Sequence, residues 1–422
     1  MKKILLILLL SSALTANAQF KNYFLEKTLR IDYIHSGNNK SESFKMDQLI
    51  EKKNWAGSNI NLIDTFNYGK YMVEVYDNSS LKMIYSRGYS SLFAEWRTTA
   101  EGKLIEKSFS ETVLIPYPKK TINIVFKSRD TLNIWHDADT IIFNPAKDNI
   151  IKPKKNNNKI VKLHYSGDYK TKLDIAIIAD GYAATDSIKM KEDLKRFASY
   201  ILNASPFDNN KGKINIWGVA AISKESGITD PILKTFKNTA IGTSFNTIGS
   251  DRYLMTLENK TLHDQLSDVV YDQIVIMVNT EKYGGGGIYN FYSTAAAGDS
   301  RADFLLQHEF GHAFAGLGDE YYSSEVSVEN FYPLTVEPWE PNITTLVLFG
   351  KKWKNLIAKK TPVPTPVNKE FEKTVGVFEG GGYMAKGIYR PFTDCTMKSI
   401  IYNYYCPVCT RAVKEMIDFY AK

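Results

Sequence analysis

Apolar and polar residues alternate with a period of two in several short runs near the start of the chain. The clearest span residues 28–33, 71–76, 121–126 and 140–143, with turn residues between them. Such runs fit strands with one buried face, and their spacing predicts a β-sandwich from residue 20 to about residue 149, long enough for a core of its own. The pattern then breaks at a basic, asparagine-rich stretch in which Lys152, Lys154 and Lys155 flank Pro153 and precede Asn156, Asn157 and Asn158. This stretch reads as a solvated connector.

Beyond it the pattern changes. Residues 173–179 form a continuous apolar run, as expected of a strand buried on both faces, and residues 187–202 carry a helical apolar stripe. Runs at 214–219 and 274–278 predict two further buried strands. The glycine-rich segment 283–288 reads as a turn, and 289–293 as a returning edge strand. A helix is predicted after Ser300 as N-cap, with Asp303 in its first turn and Phe304, Ala313, Phe314 and Leu317 as packing surface. A last helix is predicted over 407–420. The fold class is therefore α+β, with an N-terminal β-sandwich and a following α/β domain built on a mixed sheet. The expected division is a leader at 1–18, the sandwich at 19–150, a linker at 151–160 and the second domain at 161–422.

The leader rests on Lys2 and Lys3 before the apolar run from Ile4 to Leu10, with Ala16 and Ala18 offering a cleavage site before Gln19. That run is too short to span a bilayer, and no later stretch is long enough, so the expected product is exported, to periplasm, cell surface or medium. Loss of Lys2 and Lys3 lowers the formal charge from +7 to +5. So small a surplus over this length gives no reason to expect nucleic-acid binding.

Candidate chemistry is concentrated in His308-Glu309-Phe310-Gly311-His312. On a helix the two histidines lie one turn apart on one face, where both imidazoles reach one tetrahedral Zn2+, and Glu309 stands beside them as general base. A metal held this way keeps a position open for a water whose pKa falls to about 7 and for the carbonyl to be cleaved. The pattern reads as a zinc peptidase acting on protein or peptide.

A third ligand must come from beyond the helix. Were the helix to continue, Asp319 would lie about 10 Å further along the axis than His312. Gly316 and Gly318 are suited to break it and return Asp319 to the metal. Asp319 is favoured over its neighbour Glu320, which would then accept a hydrogen bond from a ligand histidine; Glu325 and Glu329 are more distant alternatives. All three cysteines, Cys395, Cys406 and Cys409, fall near the C-terminus, and export permits a disulfide that joins Cys395 to Cys406 or Cys409. No fourth partner for a second metal is evident from the sequence.

Several motifs point to one family. They are Ala179-Asp180-Gly181-Tyr182, Lys224-Glu225-Ser226-Gly227, Gly249-Ser250-Asp251-Arg252-Tyr253, the segment from His308 to Tyr322, Phe378-Glu379-Gly380-Gly381-Gly382-Tyr383, Gly387-Ile388-Tyr389-Arg390-Pro391 and Cys395-Thr396-Met397. From about Asp174 to Cys409 the chain resembles the IgA peptidase family of bacterial zinc metallopeptidases, which belongs with the metzincins. The resemblance implies a metzincin-like zinc peptidase domain and a methionine turn beneath the metal, for which Met397 is the match. It also implies extended substrate bound along an edge strand. The chain departs from the usual metzincin motif: Ala315 stands where a glycine is usual, and the glycine and carboxylate come one residue later, at Gly316 and Asp319. Ser399 takes the place of a tyrosine found in some members, which leaves Tyr383, Tyr389 and Arg390 as candidate oxyanion donors. Immunoglobulin A as substrate enters only through the family's name, since no residue encodes that specificity. The competing class, an exported protein that binds protein or glycan without catalysis, is disfavoured by an intact Glu309.

Overall fold

The alternating runs of the N-terminal part assemble into two four-stranded sheets in the structure, a computed structural model that describes residues 19–322 and 332–421. The expected leader and the alternatives Glu325 and Glu329 lie outside the described residues. One sheet has the order β5-β1-β2-β8, with β1 (Phe24–Gly37), β2 (Glu42–Lys52), β5 (Lys107–Pro118) and a short β8 (Ile150–Ile151). The other is antiparallel in the order β4-β3-β6-β7, with β3 (Tyr71–Asp77), β4 (Met83–Tyr89), β6 (Ile122–Arg129) and β7 (Trp135–Phe143). Aromatic side chains meet across the two: the Tyr33 ring lies 5.0 Å from that of Phe126, and Phe44 stacks on Phe126 at 5.3 Å.

Residues 152–158 have no regular structure, yet they are not a free tether. Asn156 donates to the carbonyls of Asp264 and Gln265, and Asn158 donates to Gln265. The chain then enters β9 (Lys159–His164), an antiparallel edge of a six-stranded mixed sheet of order β15-β16-β14-β10-β11-β9. Its parallel centre comprises β10 (Leu173–Asp180), β11 (Ile214–Ala220), β14 (Gln273–Val278) and β16 (Tyr292–Ala296). Every residue of β10 is buried, which explains its unbroken apolar run. Two short strands, β12 (Thr243–Ser244) and β13 (Met255–Thr256), pair beside this sheet, and β17 (Phe378–Gly381) with β18 (Met384–Arg390) forms a later hairpin.

The glycine-rich segment departs from the sequence reading. It is itself the edge strand, β15 (Gly285–Ile288), antiparallel to β16, and the turn falls between Ile288 and Tyr292. The cause is close packing against the helix Ala302–Ala315 behind it. A Cβ on Gly287 would overlap the carbonyl oxygen of Glu309, and one on Gly285 would stand 2.9 Å from the Glu309 Cγ. Only glycine lets this strand lie so near the helix.

That helix begins one residue later than Ser300 as N-cap would place it. Arg301 is its N-cap residue, and the Asp299 carboxylate accepts the Arg301 N–H at 2.8 Å. Phe310 and Phe314 stack on each other at 5.2 Å and meet Phe207, burying apolar surface that contributes about 1.5–3 kcal/mol per ring. The helix ends at Gly316 in the left-handed conformation (φ 63°), with the N–H groups of Gly316 and Leu317 returned to the carbonyls of His312 and Gly311. The terminal helix, Pro407–Tyr420, packs against it with proline in its first turn. The N-terminal sheets share one apolar core with these elements. Buried charges also cross between them: Arg30 pairs with Asp32 and reaches Asp264 at 2.6 Å, and Arg87 pairs with Asp64 and donates to the Tyr420 hydroxyl at 3.0 Å.

Candidate metal centre

Helical spacing carries His308 and His312 to the same face, and the turn at Gly316 folds Asp319 back towards them. Their donor atoms form a nearly equilateral triangle: His308 Nε2 to His312 Nε2 is 3.2 Å, and Asp319 Oδ1 lies 3.2 and 3.3 Å from the two. Both Nδ1 atoms face backbone carbonyls, that of Thr396 at 2.9 Å for His308 and that of Leu317 at 2.5 Å for His312. Carbonyls only accept, so both Nδ1 atoms carry the hydrogen, and in the neutral imidazoles both Nε2 lone pairs point inwards. Asp319 Oδ1 is buried and makes no hydrogen bond. Three converging lone pairs repel one another unless a cation lies among them, and four donors around a tetrahedral zinc stand about 3.3 Å apart. The donor set and its spacing fit that ion.

With no metal between them, the same closeness favours the charged histidines, so protons compete with a metal for Nε2. Burial alone would lower the histidines, but Asp319 outweighs it, and the His312 imidazole is held up at about 9 and His308 also above its ordinary value. Burial works against the Asp319 carboxylate too, yet the two histidines hold it far below the usual range. Glu309 is raised, mainly by burial and also by Asp319. Its carboxylate and the two imidazoles lie within 4.8 Å of one another. The His308 and His312 side chains keep 12 % and 16 % of their surface exposed, so the centre is not fully sealed from solvent.

Met397 lies directly under the helix. It is fully buried, and a Cβ on Gly311, between the two histidines, would stand 3.0 Å from its Sδ. The carbonyl before it accepts from His308, and its own carbonyl accepts the N–H of Glu320 at 2.8 Å.

Among the described residues, none of the other candidates contributes a donor atom to the triangle. Glu320 neither joins the triangle nor accepts from a ligand histidine. Adjacent side chains diverge, and its carboxylate turns to Asn342 (2.9 Å), Cys395 and Cys409. The three cysteines are free thiols gathered around it, so the expected disulfide is not formed. Of the three oxyanion candidates, Tyr383 donates its hydroxyl to Asp319 Oδ2. Arg390 is spent on the carbonyls of Glu379 and Gly380, and Tyr389 lies in β18 with its backbone paired to Thr344. Nearness in sequence did not determine where these side chains point.

Three residues near the site were given no role by the sequence reading. The Tyr321 hydroxyl shares in hydrogen bonds with Tyr383 and Asp319, and its position two residues after the predicted ligand was the available signal. Tyr253 donates to Glu95, which comes from the N-terminal part on the short helix Leu92–Trp96. Burial pushes the Glu95 carboxyl up to about 7, with Glu309 and Asp319 adding to it. No local pattern could have announced a residue brought in from so far along the chain.

Comparison with known families completes the description. A model for the IgA Peptidase M64 family matches residues 161–374 and 367–417, and one for the peptidase M64 N-terminus matches residues 19–138. No curated protein matches the chain significantly.

Proposed function

The chain belongs to the IgA peptidase M64 family and is a peptidase; on that premise we propose that it is a zinc-dependent endopeptidase, exported by its leader to act on proteins outside the cytoplasm. The observation that carries this reading is the triangle of His308 Nε2, His312 Nε2 and Asp319 Oδ1, with sides of 3.2–3.3 Å and no hydrogen aimed into it from either imidazole in its neutral form. His308, His312 and Asp319 would hold the zinc, which would polarise the scissile carbonyl as a Lewis acid and acidify the attacking water.

The rest is done by the chain's own groups. Glu309 accepts the proton of the attacking water and hands it to the departing amine, for which its raised pKa is suited. Thr396 and Leu317 fix both imidazoles in the tautomer that leaves Nε2 available. Tyr383 holds Asp319 Oδ2 so that Oδ1 faces the histidines. The outer side of β15 is already paired at Gly285 with Arg252 and Leu254, which leaves the stretch towards Ile288 to meet the backbone of an extended substrate. Met397 beneath Gly311 supports a metzincin-like arrangement, and the ring contacts between the two N-terminal sheets support a β-sandwich. We divide the chain accordingly into a sandwich at 19–150, a connector at 151–160 and a peptidase domain from 161. Among the described residues no helix is long and apolar enough to cross a membrane.

The test is the Glu309→Gln variant assayed on a peptide library. Cleavage should fall by about 10²–10⁴-fold, with zinc content unchanged by elemental analysis. Chelation should abolish wild-type cleavage and added zinc restore it. Undiminished cleavage by the variant, or activity that survives chelation, would refute the mechanism.

A further inference from the structure

Behind the candidate catalytic centre lies a second group of metal-ligating side chains. Glu320, Cys395, Cys406 and Cys409 bring one donor atom each within 4.8 Å of one another, and all four residues are fully buried. Cys395 Sγ lies 3.3 Å from Glu320 Oε2, Cys409 Sγ lies 3.3 Å from Glu320 Oε1, and Cys406 Sγ is 3.5 Å from Cys409 Sγ.

An ionised carboxylate sealed from water is costly without a compensating charge, and the three thiols beside it supply none. Among the described residues no lysine, arginine or histidine forms an ion pair with Glu320; its one other partner is the Asn342 amide, which is itself held by the backbone of Gly318. A disulfide between any two of the cysteines would leave the third thiol and the carboxylate buried together. One divalent ion satisfies all four donors at once. Thiolates select zinc among the common divalent ions, and tetrahedral coordination by sulfur and oxygen spaces the donors about 3.5–3.8 Å apart. Local structure favours it too: Cys406 and Cys409 flank Pro407 and Val408 at the start of the terminal helix, where backbone N–H groups stabilise thiolates.

We propose that Cys395, Cys406, Cys409 and Glu320 bind a second, structural zinc ion beneath the catalytic centre. It ties together three segments that shape that centre: the loop whose Thr396 carbonyl orients His308, the residue following Asp319, and the start of the terminal helix. On binding, each coordinating thiol gives its proton to solvent.

Elemental analysis of the purified full chain tests this. Wild type should carry two zinc ions per chain, His308→Ala/His312→Ala one, and Cys406→Ser/Cys409→Ser one with a lowered Tm. Reconstitution of the histidine variant with Co2+ alone should give thiolate-to-cobalt charge-transfer absorption in the near ultraviolet, which a site of imidazoles and carboxylate does not produce. One zinc in wild type and none in the histidine variant would overturn the proposal, as would native protein with two of these cysteines disulfide-bonded. The wild-type and histidine arms decide the matter even if the cysteine variant does not fold. One zinc that persists in the histidine variant would uphold this site and sink the catalytic reading instead.

Discussion

Asp319 is held from two directions: its Oδ2 accepts the Tyr383 hydroxyl, and its main chain is tied by the Gly382 N–H to its carbonyl at 2.8 Å. Removing that hydroxyl leaves the carboxylate freer to turn. The Tyr383→Phe variant should bind zinc about 10–100-fold more weakly in competition with a chromophoric chelator, while its fold is retained. Unchanged affinity would show that the hydroxyl does not orient the ligand. At this scale the sequence was informative where the geometry is local. Two histidines four residues apart need only a helix, and Asp319 needs only a glycine break. Where Glu320 goes is decided by residues 22 to 89 positions away, and no local rule shows that Asn342, Cys395 and Cys409 will surround it.

Among the elements, β15 joins the sheet to the helix Ala302–Ala315. Its glycines permit a backbone contact that any side chain would push apart, so Gly287→Ala should displace the helix at Glu309 and His312. A cost of about 1–3 kcal/mol in stability is expected from overpacking. Activity should fall by roughly 100-fold, because small displacements of reacting groups are costly. Thermal melts and cleavage rates measure the two, and wild-type behaviour in both would contradict the packing argument. The buried strand β10 and the terminal helix were readable because their apolar periodicity is strong. Glycine carries no such signal, which is why β15 looked like a turn. Ser300 looked like a cap because serine often is one, but here the Asp299 carboxylate takes the N–H at the helix entrance.

Across the whole molecule, buried polar ties and a shared apolar core join the N-terminal sheets to the elements that carry the candidate metal centre. Arg30 is 1 % exposed, and its removal would strand the Asp32 carboxylate in the interior. Arg30→Ala should cost about 3–5 kcal/mol. Calorimetry should show one transition for the whole chain at a lower Tm, whereas two separate transitions would mean that the halves stand independently. Glu95, reaching Tyr253 from the first part of the chain, brings the same joint within electrostatic reach of Glu309 and Asp319. A different kind of joint lies at Asp319 and Glu320, whose side chains leave one short stretch of backbone in opposite directions. Whatever grips one of these carboxylates restrains the other, so ions proposed for the two places would have linked affinities: if loading either tightens the hold on its neighbour, the reverse must hold by the same factor.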